Sequence, residues 1–305
     1  MIPINIPNIL LWTFRRNEKD VIDLYDSLCP LMQLTTGGLM LNFGYWDNNT
    51  RCPLHAQHNL SRIVADFSSL QSAKSLVDVG SGFSVPAIQW KSKYHSLDIA
   101  CVNLNLYQLK TADCAIKSSK YEIENYEIES ISILVDFKKI SLLNATSTFL
   151  PFKDNSVDRV IAFESAQHFK PLIHFIRESK RILESNGLLV VVMPVINNTS
   201  KFSLIRYKRL GILSLSWASE HYKLDEVKSM MVTEDFRIKD IRHIGSNVYE
   251  PLANYYIKHR ERLRSLIVKE YPTFIETILF RSLVKMRNLS QNSIIDYVLI
   301  SALRM

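Results

Sequence analysis

Cysteine is scarce in this chain, with four in 305 residues. Cys29, Cys52, Cys101 and Cys114 stand 23, 49 and 13 positions apart, spacings that match no metal-binding or redox pattern. They read as packed thiols of a reducing compartment, and no metal is expected. Long apolar runs are also missing: no segment reaches the roughly 18 uninterrupted apolar residues that a membrane span needs. The opening stretch, MIPINIPNILLWTFRR, carries its charge after its apolar part and has no small-residue cleavage site, so it does not read as a secretory signal. A soluble, cytoplasmic protein is the expectation. With 47% apolar residues the chain can bury a full core, as one large domain or one domain with appendages.

Excess charge is absent from most of the chain. Residues 1–200 hold 19 basic and 19 acidic side chains, and residues 201–305 hold 18 and 11, so the whole +7 lies in the last third. A basic third invites a nucleic-acid reading. Lys258, Arg260, Arg262 and Arg264 alternate with Tyr, Ile, Leu and one Glu as an amphipathic helix would, so a solvated helical face is the preferred reading. Such a face could also make peripheral contact with an anionic membrane.

What is present is organised around residues 75–84, SLVDVGSGFS. Ser75 to Val79 reads as a buried strand, Gly80-Ser81-Gly82 as a tight turn, and a helix begins at Val85. A side chain at Gly80 or Gly82 would fill space that a ligand could use, and the N-terminus of the next helix points there. Upstream, residues 18–34 have helical spacing interrupted by Pro30, and residues 54–70 form a second helix. Between them GGLMLNFGYWD holds Phe43, Tyr45 and Trp46, either a loop covering an apolar ligand or a plug on the core.

Downstream, strands and helices alternate. Leu97 to Leu104 is a second strand ending in Asn103, and residues 106–120 form a helix. Ile140 to Leu143 is a third strand followed by Asn144, and Arg159 to Phe163 a fourth ending in Glu164, with His168 four residues on. A helix over 171–184, an Asn186-Gly187 turn and a strand over Leu188 to Val195 follow. Such alternation implies a mostly parallel sheet covered on both faces, with its ligands beyond the carboxyl ends of the strands. Gly80, Asn103, Asn144 and Glu164 all fall at such ends. A sixth strand over Ile238 to Ile244, helices over 250–289 broken at Pro272, and a closing strand over Ile294 to Leu303 complete the set.

Together VDVGSGFS, CVNLNLYQL, NATSTFLPFKDNSVDRVIAFESAQHF and ESKRILESNGLLVVVMPV resemble the class I S-adenosylmethionine-dependent methyltransferases. The similarity is greatest to the subgroup acting on small or lipidic acceptors, which includes sterol, tocopherol and macrolide-sugar methyltransferases. It is dense over residues 37–195. The fold it implies is α/β, a Rossmann-like seven-stranded methyltransferase sheet with six parallel strands and one antiparallel, helices on both faces, and a helical lid. The expected divisions are an N-terminal helical cap over 1–70, a cofactor-binding core over 71–196, a lid over 197–235, and the rest of the sheet with a helical insertion over 236–305.

The resemblance also implies roles. Asp78, Gly80 and Gly82 would hold the methionine part of S-adenosylmethionine; Asn103, with Leu104 and Gln108, the ribose and adenine edge; Asn144 and Ala145 the adenine amino group. Tyr45, Trp46 and Gln167 would face the acceptor. There are three departures from the family pattern, Ser84 for the third glycine and Asn103 and Asn144 for acids, and the two amides reduce negative charge around a cationic cofactor. For an oxygen acceptor, His168 is the expected general base, as imidazole titrates near neutral pH. For a carbon acceptor, Glu164 and the aromatics would instead stabilise a carbocation. A small, apolar or lipid-like acceptor is expected. The alternatives are a nucleic-acid methyltransferase, disfavoured because FESAQHF lacks the Asn/Asp-Pro-Pro-aromatic pattern of that chemistry, and an inactive binding subunit.

Overall fold

A computed structural model describes residues 17–118, 140–197 and 220–305. Helices α1 (Glu18–Thr36) and α2 (Pro53–Phe67) lead into strand β1 (Ser75–Val79). There follow α3 (Val85–Lys93), β2 (Asp98–Asn103), α4 (Leu106–Ser118), β3 (Ile140–Asn144), β4 (Val157–Phe163), α5 (Leu172–Ile182) and β5 (Leu183–Ile196). The chain closes with α6 (Leu224–Thr233), β6 (Phe236–His243), α7 (Gly245–Lys258), α8 (Arg260–Glu270), α9 (Thr273–Gln291) and β7 (Ile295–Arg304).

The seven strands form one sheet in the order β3-β2-β1-β4-β5-β7-β6. Strands β1 to β5 pair in parallel, and β7 runs antiparallel between β5 and β6. The period-2 alternation of a strand divides the core in two. Leu76, Ile161, Val190 and Val192 face one side with Leu60 and Val64 of α2 and Tyr249 and Tyr256 of α7. Val77, Val160, Leu189 and Val191 face the other with Phe175 and Ile176 of α5 and Val227 and Met231 of α6. A sheet covered on both faces explains why β1, Asp78 apart, and Leu188 to Val195 of β5 read as apolar runs.

Order along the sheet reverses at β1, where β2 and β3 lie to one side and β4 and β5 to the other. That switch point opens a crevice beyond the carboxyl ends. Among the described residues no helix is long and apolar enough to cross a membrane.

Local expectations fail in three places. Pro30 does not end α1; the helix runs through it to Thr36, with Cys29 and Leu31 buried on either side of the proline, and stops at Gly37 in the left-handed region. Packing of the flanking residues outweighs one missing hydrogen bond. Asn186-Gly187 is no turn between helix and strand but part of an excursion within β5: Val157 pairs with Leu183 and Arg159 with Leu188, which leaves residues 184–187 bulged out. The helices after β6 break at His259 as well as before Thr273. Most of the expected lid, residues 198–219, lies outside the described residues; the part inside them, α6, packs on the sheet.

Candidate active site

The ends of β1, β2 and β4, and the loop after β3, converge on a cavity of about 350 Å³. Gly80 to Phe83 form one wall, in the turn after β1. Gly80 and Gly82 have φ of 79° and 57°, in the left-handed region that glycine enters at no steric cost. Ser84, in the third position of the turn, is also left-handed at 57° and hydrogen-bonds Ser81 through its hydroxyl. The two glycines do different work. A Cβ on Gly82 would sit 3.7 Å from Leu41 on the cavity wall, whereas one on Gly80 would meet the Ser165 Cβ at 2.3 Å. Gly80 therefore lets the β1 turn close against the end of β4, and Gly82 is the residue whose bareness shapes the cavity.

Asp78 lies behind this turn, not in the cavity lining. It is buried, its Oδ1 has no hydrogen-bond partner among the described residues, and burial pushes its carboxyl up to about 7. A buried carboxyl oxygen without a donor, beside a glycine turn, fits a cationic ligand. At the end of β2, Asn103 lines the cavity and donates from Nδ2 to Gln108 Oε1 at 2.8 Å; Leu104, Asn105 and Gln108 line it too. Ala145 contributes after β3. Asn144 does not: its Nδ2 donates to the carbonyls of Asn103 and Leu104 at 2.9 and 2.8 Å, so it ties the β3 loop to the end of β2.

Across the cavity stands the end of β4. Glu164, at φ 51°, is held in a strained backbone conformation of the kind that clusters at functional sites. Its Oε1 accepts from the Phe43 N–H at 2.8 Å and from the Tyr297 hydroxyl at 2.5 Å. Burial pushes this carboxyl up to about 8 against those two hydrogen bonds. His168 follows on a short 3-10 turn, and its Nε2 lies 3.0 Å from the Tyr25 hydroxyl of α1. The rest of the wall is largely apolar, with Val21, Ile22, Leu39, Met40, Leu41 and Phe169.

Tyr45, Trp46 and Gln167 stand outside the lining. The Trp46 ring packs at 5.5 Å from that of Tyr255, and its backbone is bonded to Asn247, while Tyr45 bonds Ala56 of α2. These aromatics plug the core, as one of the two sequence readings had it, because the FGYW segment runs alongside α2 and α7. Gln167 is buried and donates to the Glu164 carbonyl at 2.7 Å, closing the turn that carries His168. Sequence reasoning missed Tyr25, Ser147 and Thr148, while Leu39 to Asn42, which do line the cavity, belong to the GGLMLNFGYWD stretch it had read as a possible cover. Only α1 had an available signal, the Asn17-x-x-Asp20 capping box that fixes where this helix begins.

A glycine turn at the switch point, an amide cluster at the end of β2 and a deep crevice define a Rossmann-like nucleotide-cofactor site, and the strand order is that of the class I methyltransferases. Residues 77–191 match the methyltransferase domain family. The erythromycin 3''-O-methyltransferase of Saccharopolyspora erythraea is 24% identical over 81% of this chain and 78% of its own. The 27-O-demethylrifamycin SV methyltransferase of Amycolatopsis mediterranei is 24% identical over 55% of this chain and 55% of its own. In structure the chain is similar to the cyclopropane synthase MmaA2 of Mycobacterium tuberculosis, with a TM-score of 0.75 and 12% identity over 94% of this chain and 98% of the other. The chain thus carries a methyltransferase domain over residues 77–191 on a fold like that of the class I methyltransferases, and is an enzyme that uses S-adenosylmethionine.

Proposed function

We propose that this enzyme methylates a small, largely apolar acceptor at an oxygen atom, with His168 as general base. The observation that carries the reading is that the glycine turn and His168, the one imidazole among the described lining residues, share a single cavity whose remaining wall is mostly apolar. The relatives named above act on a macrolide sugar and a rifamycin, which supports an acceptor of that size and polarity.

When bound, S-adenosylmethionine supplies a methyl group on a cationic sulfur. The residues present fit it. Asp78 offers an unpartnered carboxyl oxygen behind the turn, Gly82 leaves the wall bare, and Asn103 and Ala145 flank the ends of β2 and β3. The protein's task is then to align the acceptor and to take its proton. Carbon methylation is the less favoured reading, because Glu164 has one oxygen engaged by two donors and a carboxyl pushed up to about 8, so it is largely neutral at pH 7.

Two experiments test this. Incubation of a metabolite extract with enzyme and methyl-tritiated S-adenosylmethionine should place label in organic-soluble small molecules; label recovered in RNA would overturn the acceptor class. His168→Ala should lower that transfer by roughly 10²- to 10⁴-fold with little change in cofactor affinity. Transfer at the wild-type rate would eliminate the base.

A further inference from the structure

We propose that Tyr25 relays the acceptor's proton to His168, so that the base is complete only when α1 lies across the strand ends. The proposal rests on the oxygen-acceptor reading above and adds the path the proton takes.

The geometry begins with one bond. Tyr25 Oη lies 3.0 Å from His168 Nε2, the two rings meet edge-on with centroids 5.5 Å apart, and both residues line the cavity. The Tyr25 phenol is half-buried on the cavity wall, and Nε2 is the hydrogen-bond partner it has among the described residues. In the proposed relay Tyr25 donates, His168 carries its own proton on Nδ1, and the imidazole lone pair points at the phenol. A direct attack on the acceptor's proton would first have to break this bond. A relay uses it.

Charge around the pair keeps the phenol intact. Burial, then Cys29 one turn along α1, then Glu164 hold Tyr25 well above the ordinary phenol range, so no phenolate competes with the imidazole. The titratable groups on neighbouring elements that share its cavity are Glu164 and Lys170 from the β4 side and Glu18 on α1 itself.

Helix α1 is pinned to the cofactor side on both sides of Tyr25. Asn105 donates to Asp26 at 2.6 Å, Gln108 to the Cys29 sulfur at 3.4 Å, Thr146 to Glu18 at 2.5 Å, and Tyr271 to the Ser27 carbonyl at 3.0 Å. Gln108 also receives the Asn103 amide. The hydroxyl is thus placed by the same side chains that shape the end of β2.

The step balances as follows. The acceptor oxygen bonds the methyl carbon, the carbon–sulfur bond breaks, and its electron pair stays on sulfur. The acceptor's proton passes to Oη while the phenol's own proton passes to Nε2. Tyr25 ends neutral, and His168 ends as imidazolium.

Nitrogen NMR of histidine-labelled protein, without any acceptor, reads the tautomer; the His168 signals are those lost in His168→Gln. The relay requires the Nδ1–H form in the wild type at pH 8 and a shift toward Nε2–H in Tyr25→Phe. An Nε2–H wild type overturns it. In the tritium-transfer assay, Tyr25→Phe should lose about 10² in turnover while S-adenosylmethionine affinity by calorimetry stays within about threefold. Near-normal turnover in Tyr25→Phe, with His168→Ala impaired, removes the relay and leaves the base. Near-normal turnover in His168→Ala removes both.

Discussion

Replacing Glu164 by glutamine should make the protein more stable at alkaline pH and leave it unchanged in acid. In an unfolded chain this carboxyl ionises near its ordinary value of 4.5, whereas in the fold burial pushes it up to about 8. Between those values the native state holds one proton more than the unfolded state. Unfolding free energy must then fall as pH rises, by at most about 1.4 kcal/mol per pH unit. The stabilisation is complete below about pH 4.5 and lost as pH rises through about 8. Over that window the full effect would be about 5 kcal/mol. Glu164 keeps an edge on the cavity, however, and water there screens the charge, so about 2 kcal/mol is the expected loss between pH 5 and pH 8.5. Glutamine retains an oxygen to accept from Phe43 and Tyr297 and never ionises. Asp78, pushed up to about 7, titrates in the same window but is present in both proteins, so the difference between them isolates Glu164. Urea denaturation at the two pH values measures that difference. A gap between variant and wild type that stays constant with pH, or a variant less stable at pH 8.5, would refute the reasoning.

Gly80→Val should unfold more readily by about 2–4 kcal/mol, seen as a lowered melting temperature, since its side chain would meet Ser165. Gly82→Ala, facing Leu41 across open space, should instead weaken S-adenosylmethionine binding in calorimetry at a cost of about 1 kcal/mol in stability. Asp78→Asn should abolish a rise in cofactor affinity that the wild type shows from pH 6 to pH 8, because an ionised Asp78 attracts a cation; calorimetry in the Glu164→Gln background removes the parallel contribution of that residue. Glu276→Ala should cost about 2 kcal/mol in denaturant stability, because its buried carboxylate accepts two hydrogen bonds from the Arg260 guanidinium, the nearer at 2.9 Å.

The sheet was legible because its signals are local. The central strands are largely apolar runs ending in glycine or a polar residue, and β1, β3, β6 and β7 begin and end within two residues of their expected limits. The cofactor side was legible for the same reason, since Gly80, Gly82 and Asn103 follow directly on strands. What the chain brings in from afar was not. Tyr25 looks like any apolar position of an amphipathic helix until α1 is seen lying against His168, 143 residues away. Tyr45 and Trp46 invited a binding role through composition, yet their burial depends on α2 and α7, which no local pattern reveals. Asn144 stands at a strand end as expected, but its amide turns to the neighbouring backbone rather than to the cavity.

The position of β7 has a consequence for how the protein is made. It is translated after the other six strands of this sheet, yet it lies inside the sheet, pairing with β5 over nine residues and carrying the Tyr297 that holds Glu164. Until residue 297 has left the ribosome, the wall opposite the glycine turn lacks its brace. The apolar edge of β5, Leu188 to Ile196, also stands open to any other strand in reach. A nascent chain stalled between β6 and β7 is therefore the species most exposed to wrong pairing, and β5 is the segment where chaperone binding during synthesis should concentrate.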